Sequence, residues 1–257
     1  MQLSVLVLLI FLGWAIGSLV NYLSDVLPHR RTLTHPFCQK CNADMAFVNY
    51  LFWPRRCAAC GQPRTWRAWL VEALFILISV GLWSYHPQKL GFWGGWLILA
   101  YFGVVVVIDV EYRLILHPVS LVGAILGLSL GSYLHGLGPA LLGGAVGFGS
   151  MLLLYWLGEL LIRLAAHLRG EKVDDVALGF GDVNLSGVLG LLLGFPGIVL
   201  GLFLAVLIGG AASLIFLVVM LALRRYRMFT ALPYGPFLVS GAVILLFFRN
   251  FLASLFN

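Results

Sequence analysis

Eight apolar runs, most of them close to twenty residues long, leave this chain few ways to fold. They cover about 3–23, 69–85, 92–109, 117–134, 138–162, 177–195, 197–223 and 234–254. An α-helix rises about 1.5 Å per residue, so a run of this length crosses the roughly 30 Å hydrocarbon core of a bilayer. The 257 residues are 61% hydrophobic and only 10% charged, with a mean hydropathy of +1.01, which a soluble domain of this size would not show. The expectation is an all-α polytopic membrane protein with about eight transmembrane helices. The first run, Leu3 to Tyr22, lacks the basic n-region and small-residue cleavage site of a signal peptide, so it reads as a retained helix.

Charge placement orients the spans. The segment between runs one and two carries Arg30, Arg31, Lys40, Arg55, Arg56, Arg64 and Arg67. Alternating outward, the same side collects Arg113, then Arg163, Arg169 and Lys172, then Arg224, Arg225 and Arg227. Only Lys89 and Arg249 remain opposite. Short loops rich in Lys and Arg stay cytoplasmic, so both termini are expected outside. Topology therefore accounts for most of the +6 net charge without a nucleic acid, and the basic face suits anionic membrane lipid.

The expected organisation is a first transmembrane helix (1–27), a cytoplasmic loop (28–67) and a seven-helix membrane core (68–257). Run one closes on Gly17-Ser18-Leu19-Val20-Asn21, small residues suited to helix packing, and on Leu27-Pro28, where the proline is expected to stop the helix. All four cysteines lie in the loop, as Cys38-x2-Cys41 and Cys57-x2-Cys60 with 15 residues between the pairs. That spacing suits a tetrahedral Zn2+ site with no open position for water, hence structural. Two disulfides or four idle thiols are the alternatives, and the cytoplasmic side disfavours the former. Glu72 follows Trp66 and Trp69 near the start of run two. It reads either as a paired acid or as part of a site facing the cysteine loop.

Two acids stand out. Asp109 ends run three in Val107-Ile108-Asp109-Val110-Glu111, and alone would read as a helix-end acid paired with Arg113. Asp182 follows two glycines in Gly179-Phe180-Gly181-Asp182, at the start of a run too short beyond it for a full span. Either its helix begins near Ala177, or the glycines form irregular backbone leading into a short helix. Both versions place Asp182 on the cytoplasmic rim, at the depth of Asp109. Two carboxylates sharing a site cannot both ionise easily, so one can stay protonated to polarise a carbonyl while the other deprotonates water. Gly179 and Gly181 would let an extended substrate come close. Ser18, Ser120 and Ser186 sit in apolar helices with no nucleophile–base setting. The repeating glycines of the middle spans (Gly123, Gly127, Gly131; Gly143, Gly147) read as packing positions, and Glu159 with Arg163 as a pair on one helix face. Pro233-Tyr234-Gly235-Pro236-Phe237 reads as a stiff helix start that could wall a groove.

Taken together, Gly17 to Asn21 with Leu27-Pro28, the paired CxxC motifs, Glu72, Ile108 to Glu111, Gly179 to Leu185 and Pro233 to Phe237 resemble the type IV prepilin peptidase family over nearly the whole length. The resemblance implies a GxGD membrane aspartic protease of the bacterial inner membrane. It would remove short basic leaders from prepilins or pseudopilins of type IV pilus and type II secretion systems, on the cytoplasmic face. Asp109 and Asp182 would be the catalytic pair, with Gly179, Gly181, Glu111 and Asn184 about them. Asn184 stands where the family motif carries a lysine, Leu116-His117 where a Pro-Asp pair is usual, and Asp175 where a glutamate follows one position later. Many members also N-methylate the new N-terminus with S-adenosylmethionine, an activity assigned to the part bearing the cysteine loop, which would include Glu72. Two other readings compete: a presenilin-like GxGD intramembrane protease, which would lack the cysteine loop, and an ion-coupled transporter, which would want its acids mid-membrane and an inverted repeat.

Overall fold

The computed structural model describes residues 2–85, 90–169, 179–223 and 233–248. Lys89, Lys172, Asp175, Arg224, Arg225, Arg227 and Arg249, and most of the polar stretch after His167, lie outside the described residues. Within them the fold is helical: α1 (Leu3–Arg30), α2 (Phe47–Leu51), α3 (Trp66–Tyr85), α4 (Gly91–Tyr112), α5 (His117–His135), α6 (Leu137–Arg169), α7 (Phe180–Leu193), α8 (Gly197–Ala222) and α9 (Gly235–Phe247). Extended pairing among the described residues is confined to the isolated bridges Phe37–Asp44 and Arg56–Pro63. Six helices (α1, α3, α4, α5, α6 and α8) are long and apolar enough to cross a membrane. The other two expected spans appear as the shorter apolar helices α7 and α9. With 14 residues, α7 is about 21 Å long, short of a bilayer core.

The chain divides into two compact units, Met1–Ile108 and Asp109–Asn257, the division falling within α4. In the first unit α1 and α3 run antiparallel in close contact. A Cβ on Gly17 would stand 2.7 Å from Glu72 Cα, so only glycine permits this approach. Helix α4 joins through Gly103, where a Cβ would meet the Phe75 ring at 2.7 Å, and through the Phe75–Trp96 ring pair. Pro28 does not stop α1. It lies inside the last turn, and the helix runs to Arg30 before Arg31 turns left-handed and its N–H bonds to Leu27 O. Its missing N–H withdraws one helical bond from the carbonyl four residues earlier, and the helix closes two residues later rather than at the proline.

In the second unit α5 and α6 clasp the short α7. A Cβ on Gly127 would lie 2.8 Å from Val188 O, and those on Gly131, Gly143 and Gly147 would press on backbone of Leu191, Gly190 and Ser186. Ser186 Oγ donates to Gly147 O at 2.8 Å, fixing α7 against α6. The glycine series thus performs the close packing its spacing suggested. Helix α9 lies on α8, with Gly241 against the backbone of Ala205.

Candidate active site

The last residues of α4 bring Asp109 into the C-terminal unit, where it is 5% exposed. Its Oδ2 accepts a hydrogen bond of 2.9 Å from the N–H of Gly235, the first residue of α9. A Cβ at position 235 would stand 2.6 Å from that same oxygen, so the carboxylate needs a glycine opposite it. Asp182 occupies the first turn of α7, with Gly179 as N-cap. Its backbone N–H donates to Gly179 O at 3.0 Å, while its side chain accepts from the Gly179 N–H. The aspartate thus supplies its half of a capping box, while glycine at the cap offers a backbone carbonyl in place of a side chain. Asp182 and Asp109 are close enough to interact electrostatically, as are Asp182 and Tyr234, the N-cap of α9.

Gly181 lies inside the first turn of α7, where a Cβ would meet Ile115 Cβ at 2.8 Å. Its lack of a side chain lets α7 seat on the segment that follows α4, which carries Asp182 toward Asp109. Phe180 remains half exposed beside Tyr155 of α6, ring centroids 5.8 Å apart. Glu111 is exposed at the end of α4. Asn184 is half-buried and, two residues beyond Asp182, projects from a different side of the helix. Among the described residues neither Asp109 nor Asp182 forms an ion pair; Arg113 acts on Asp109 at longer range. Gly235 was visible in sequence only as a helix start, since its partner lies 126 positions away.

The N-terminal unit holds a second constellation. Sγ atoms of Cys38, Cys41, Cys57 and Cys60 all lie within 4.8 Å of one another, with Cys38–Cys60 and Cys41–Cys57 each at 3.6 Å. Tetrahedral zinc–thiolate bonds of about 2.3 Å require sulfur separations near 3.8 Å, so the set fits Zn2+. The two knuckles are built alike. Cys38 N–H bonds to Ala43 O and Asn42 N–H to Cys38 O, just as Cys57 N–H bonds to Gln62 O and Gly61 N–H to Cys57 O. Asn42 and Gly61 both adopt positive φ. Thiol protonation points the same way. Burial opposes the Cys38 thiolate, yet the N–H groups of Cys41 and Lys40 and the neighbouring thiols bring its pKa down to about 7. At Cys41 the Ala43 N–H favours the thiolate, but Cys60, burial, Cys57 and Cys38 outweigh it and push the thiol up to about 12. Only a cation would let all four stand as thiolates at this spacing.

Glu72 is 3% exposed beneath the second knuckle. Arg55 Nη1 donates to Glu72 Oε2 at 2.8 Å, Ser18 Oγ donates to Oε1 at 3.1 Å, and Arg64 Nη1 stands 3.6 Å from Oε1. Asp25 of α1, unremarked in sequence, holds the companion position. It accepts hydrogen bonds from Tyr50 Oη at 2.6 Å and from Arg67 Nη2, with Arg64 Nη2 at 3.7 Å. The guanidinium of Arg64 also covers the Tyr50 ring and that of Arg55 covers Trp69.

A sequence model of the type IV leader peptidase family matches residues 95–214, and one of the bacterial N-terminal domain that accompanies it matches 11–86. Three similar proteins are named prepilin leader peptidase/N-methyltransferase. That of Aeromonas hydrophila is 26% identical over 86% of this chain and 74% of its own length. That of Pectobacterium carotovorum subsp. carotovorum is 26% identical over 84% and 74%. That of Xanthomonas campestris pv. campestris is 30% identical over 74% and 62%. No solved structure matches. Both characteristic parts are thus present in one chain, and the protein belongs to the type IV leader peptidase family.

Proposed function

We propose that the protein is a membrane aspartic endopeptidase that cleaves the short leader of type IV prepilins or pseudopilins at the cytoplasmic face of the bacterial inner membrane. The observation that carries this reading is the approach of Asp182 to Asp109, enforced by Gly181 against Ile115 and by Gly235 against Asp109. Each carboxylate has one backbone N–H to orient it, and neither is neutralised by an ion pair among the described residues. A pair so placed holds a single proton more readily than none. The ionised partner takes a proton from water as the oxygen attacks the scissile carbonyl carbon. The protonated partner donates to the carbonyl oxygen, and proton return to the amide nitrogen releases the leader. The cysteine set would hold a structural Zn2+ through four thiolates, stabilising the fold of the loop without entering the reaction.

N-methylation of the product with S-adenosylmethionine is a second reading, supported by the names of the similar proteins and by the presence of the N-terminal domain. The groups around Glu72 do not fit that cosubstrate as they stand. The two carboxylates that could face its sulfonium or ammonium are already engaged by arginines, so no methyl-transfer step is assigned to them. Mass spectrometry of a co-expressed prepilin tests both activities at once. Leader removal should require both aspartates, and a mass increase of one methyl on the mature N-terminus would establish the second activity. An intact leader after co-expression with the folded enzyme and several prepilins would refute the peptidase reading.

A further inference from the structure

The cysteine-bearing segment packs far along α1 and α3 instead of standing clear of them. Contacts along α1 and α3 show how far it descends. Phe37 packs on His29 and lies under the Arg30 guanidinium, at the end of α1. Gln39 Nε2 reaches Asp25, and Phe47 and Tyr50 stack on Tyr22. Arg55 meets Glu72, which shares its level with Ser18, and Phe52 lies against Trp14 with ring centroids 5.6 Å apart. From Arg30 to Trp14 is about 24 Å of helix at 1.5 Å per residue.

The register of α1 on α3 converts this into depth. Gly17 faces Glu72 and Gly13 faces Ile76, so Trp14 lies near the level of Phe75. Helix α3 begins at Trp66 and its 20 residues just match the roughly 30 Å hydrocarbon core. The Phe52 ring therefore lies about 13 Å along the helix axis beyond the start of that span.

The side chains at this tip suit such a place. Phe52 is 55% exposed and Trp53 is 81% exposed, beside the exposed Val48. Their surface continues that of the spans. Phe11, Trp14 and Phe52 form a run of neighbouring rings, and the exposed face of α3 carries Trp66, Trp69, Leu70, Leu74 and Leu77. In water this would be an apolar patch without a partner, whereas the acyl region of a bilayer accepts such rings. Arg56, exposed at the C-terminal edge of the tip, has a side chain long enough to extend its charge toward lipid phosphate. The polar groups that travel down with the tip are covered on the inner side, Arg55 by Glu72 and by the Trp69 ring.

We infer that residues 47–56 form a membrane-inserted tip, with Phe52 and Trp53 lodged among lipid acyl chains beside α1 and α3. Lipid is its partner, and the cysteine cluster is thereby held at the membrane surface. The inference rests on the N-terminal unit alone and does not depend on the peptidase reading.

The test uses the full chain in nanodiscs. Tryptophan emission is compared between the wild type and Trp53→Phe, with lipids brominated midway along the acyl chains and with unbrominated lipids. The difference spectrum isolates Trp53, and brominated lipid should remove most of it while aqueous iodide leaves it unchanged. A tryptophan placed by Lys40→Trp in the Trp53→Phe background should respond in the opposite sense. Hydroxyl-radical footprinting of the unmodified chain gives the same answer without substitution: Trp53 should oxidise less than the exposed His35, despite its greater intrinsic reactivity. Iodide quenching of Trp53 without bromolipid quenching, or oxidation of Trp53 ahead of His35, would overturn the inference. Neither readout involves peptide cleavage, so an inactive enzyme would not disturb it.

Discussion

Two pairs of acids are withdrawn from bulk water in this protein, and they are treated in opposite ways. Asp25 and Glu72 are wrapped by Arg55, Arg64 and Arg67, with Tyr50 and Ser18 completing the hydrogen bonds. Asp109 and Asp182 have backbone N–H groups of Gly235 and Gly179 as partners and interact electrostatically with each other. Guanidinium partners fasten a carboxylate through charge-assisted hydrogen bonds, which suits a structural element. A backbone N–H orients a carboxylate without adding a full opposing charge, leaving a proton available to be shared and moved. The same residue types therefore serve as a fastening in one unit and as a candidate reaction centre in the other.

The largest expected effect tests that contrast directly. Asp109→Asn or Asp182→Asn should each lower leader cleavage by about a thousand-fold or more while the protein still inserts and folds. Glu72→Gln should not touch the cleavage step in this way; its consequence should be instability. Appreciable turnover by either aspartate variant, measured on a purified prepilin, would break the assignment.

Gly235→Ala comes next. The added methyl would stand 2.6 Å from Asp109 Oδ2, so the carboxylate must shift even though the N–H donor remains. A displacement of this kind should reduce kcat by about a hundred-fold with the fold retained. Wild-type kcat in this variant would show that the position of Asp109 is not critical.

On the other side of the comparison, Arg55→Met should destabilise the N-terminal unit by up to about 3–5 kcal/mol, because it leaves the buried Glu72 with only Ser18 and the more distant Arg64. The double variant Arg55→Met with Glu72→Met should recover much of that loss in thermal unfolding. Equal instability of single and double variants would mean that packing, not charge, dominates there. Zinc removal should act on the same region, since Arg55 and Arg64 flank the second knuckle. Cys38→Ser or strong chelation should release about one metal ion per chain and expose residues 28–67 to proteolysis. Metal analysis that finds no zinc in a stable, protease-resistant preparation would refute the structural role.

What sequence could and could not reveal follows the range of the interactions. The spans, the cysteine spacing and the glycine series are local patterns, set by one helix or one turn at a time; the fold reproduces them, with two of the eight expected spans shortened to α7 and α9. The continuation of α1 through Pro28 was hidden because a proline removes its own helical bond without preventing the next two residues from staying helical. Asp25 was passed over because its partners Tyr50 and Arg67 lie far along the chain, and nothing near Asp25 marks them. Gly181 looked like a flexible link before an acid. Its neighbour Ile115 shows instead a close-contact position inside a helix, a distinction that needs the packed partner.

The smallest expected effect belongs to an acid outside both pairs. Glu159 accepts two hydrogen bonds from Arg163 one turn on, the shorter at 2.8 Å, and both side chains are exposed. Side-chain entropy and screening leave such a pair worth no more than about 0.5 kcal/mol, and where it faces headgroups rather than water, competing lipid charges weaken it further. Glu159→Gln should therefore leave both the unfolding midpoint and prepilin cleavage within experimental scatter. A loss comparable to that of Arg55→Met would mean that Glu159 is covered by something the isolated chain does not contain. Burial, rather than the presence of an ion pair, would then be the variable that separates the acids of this protein.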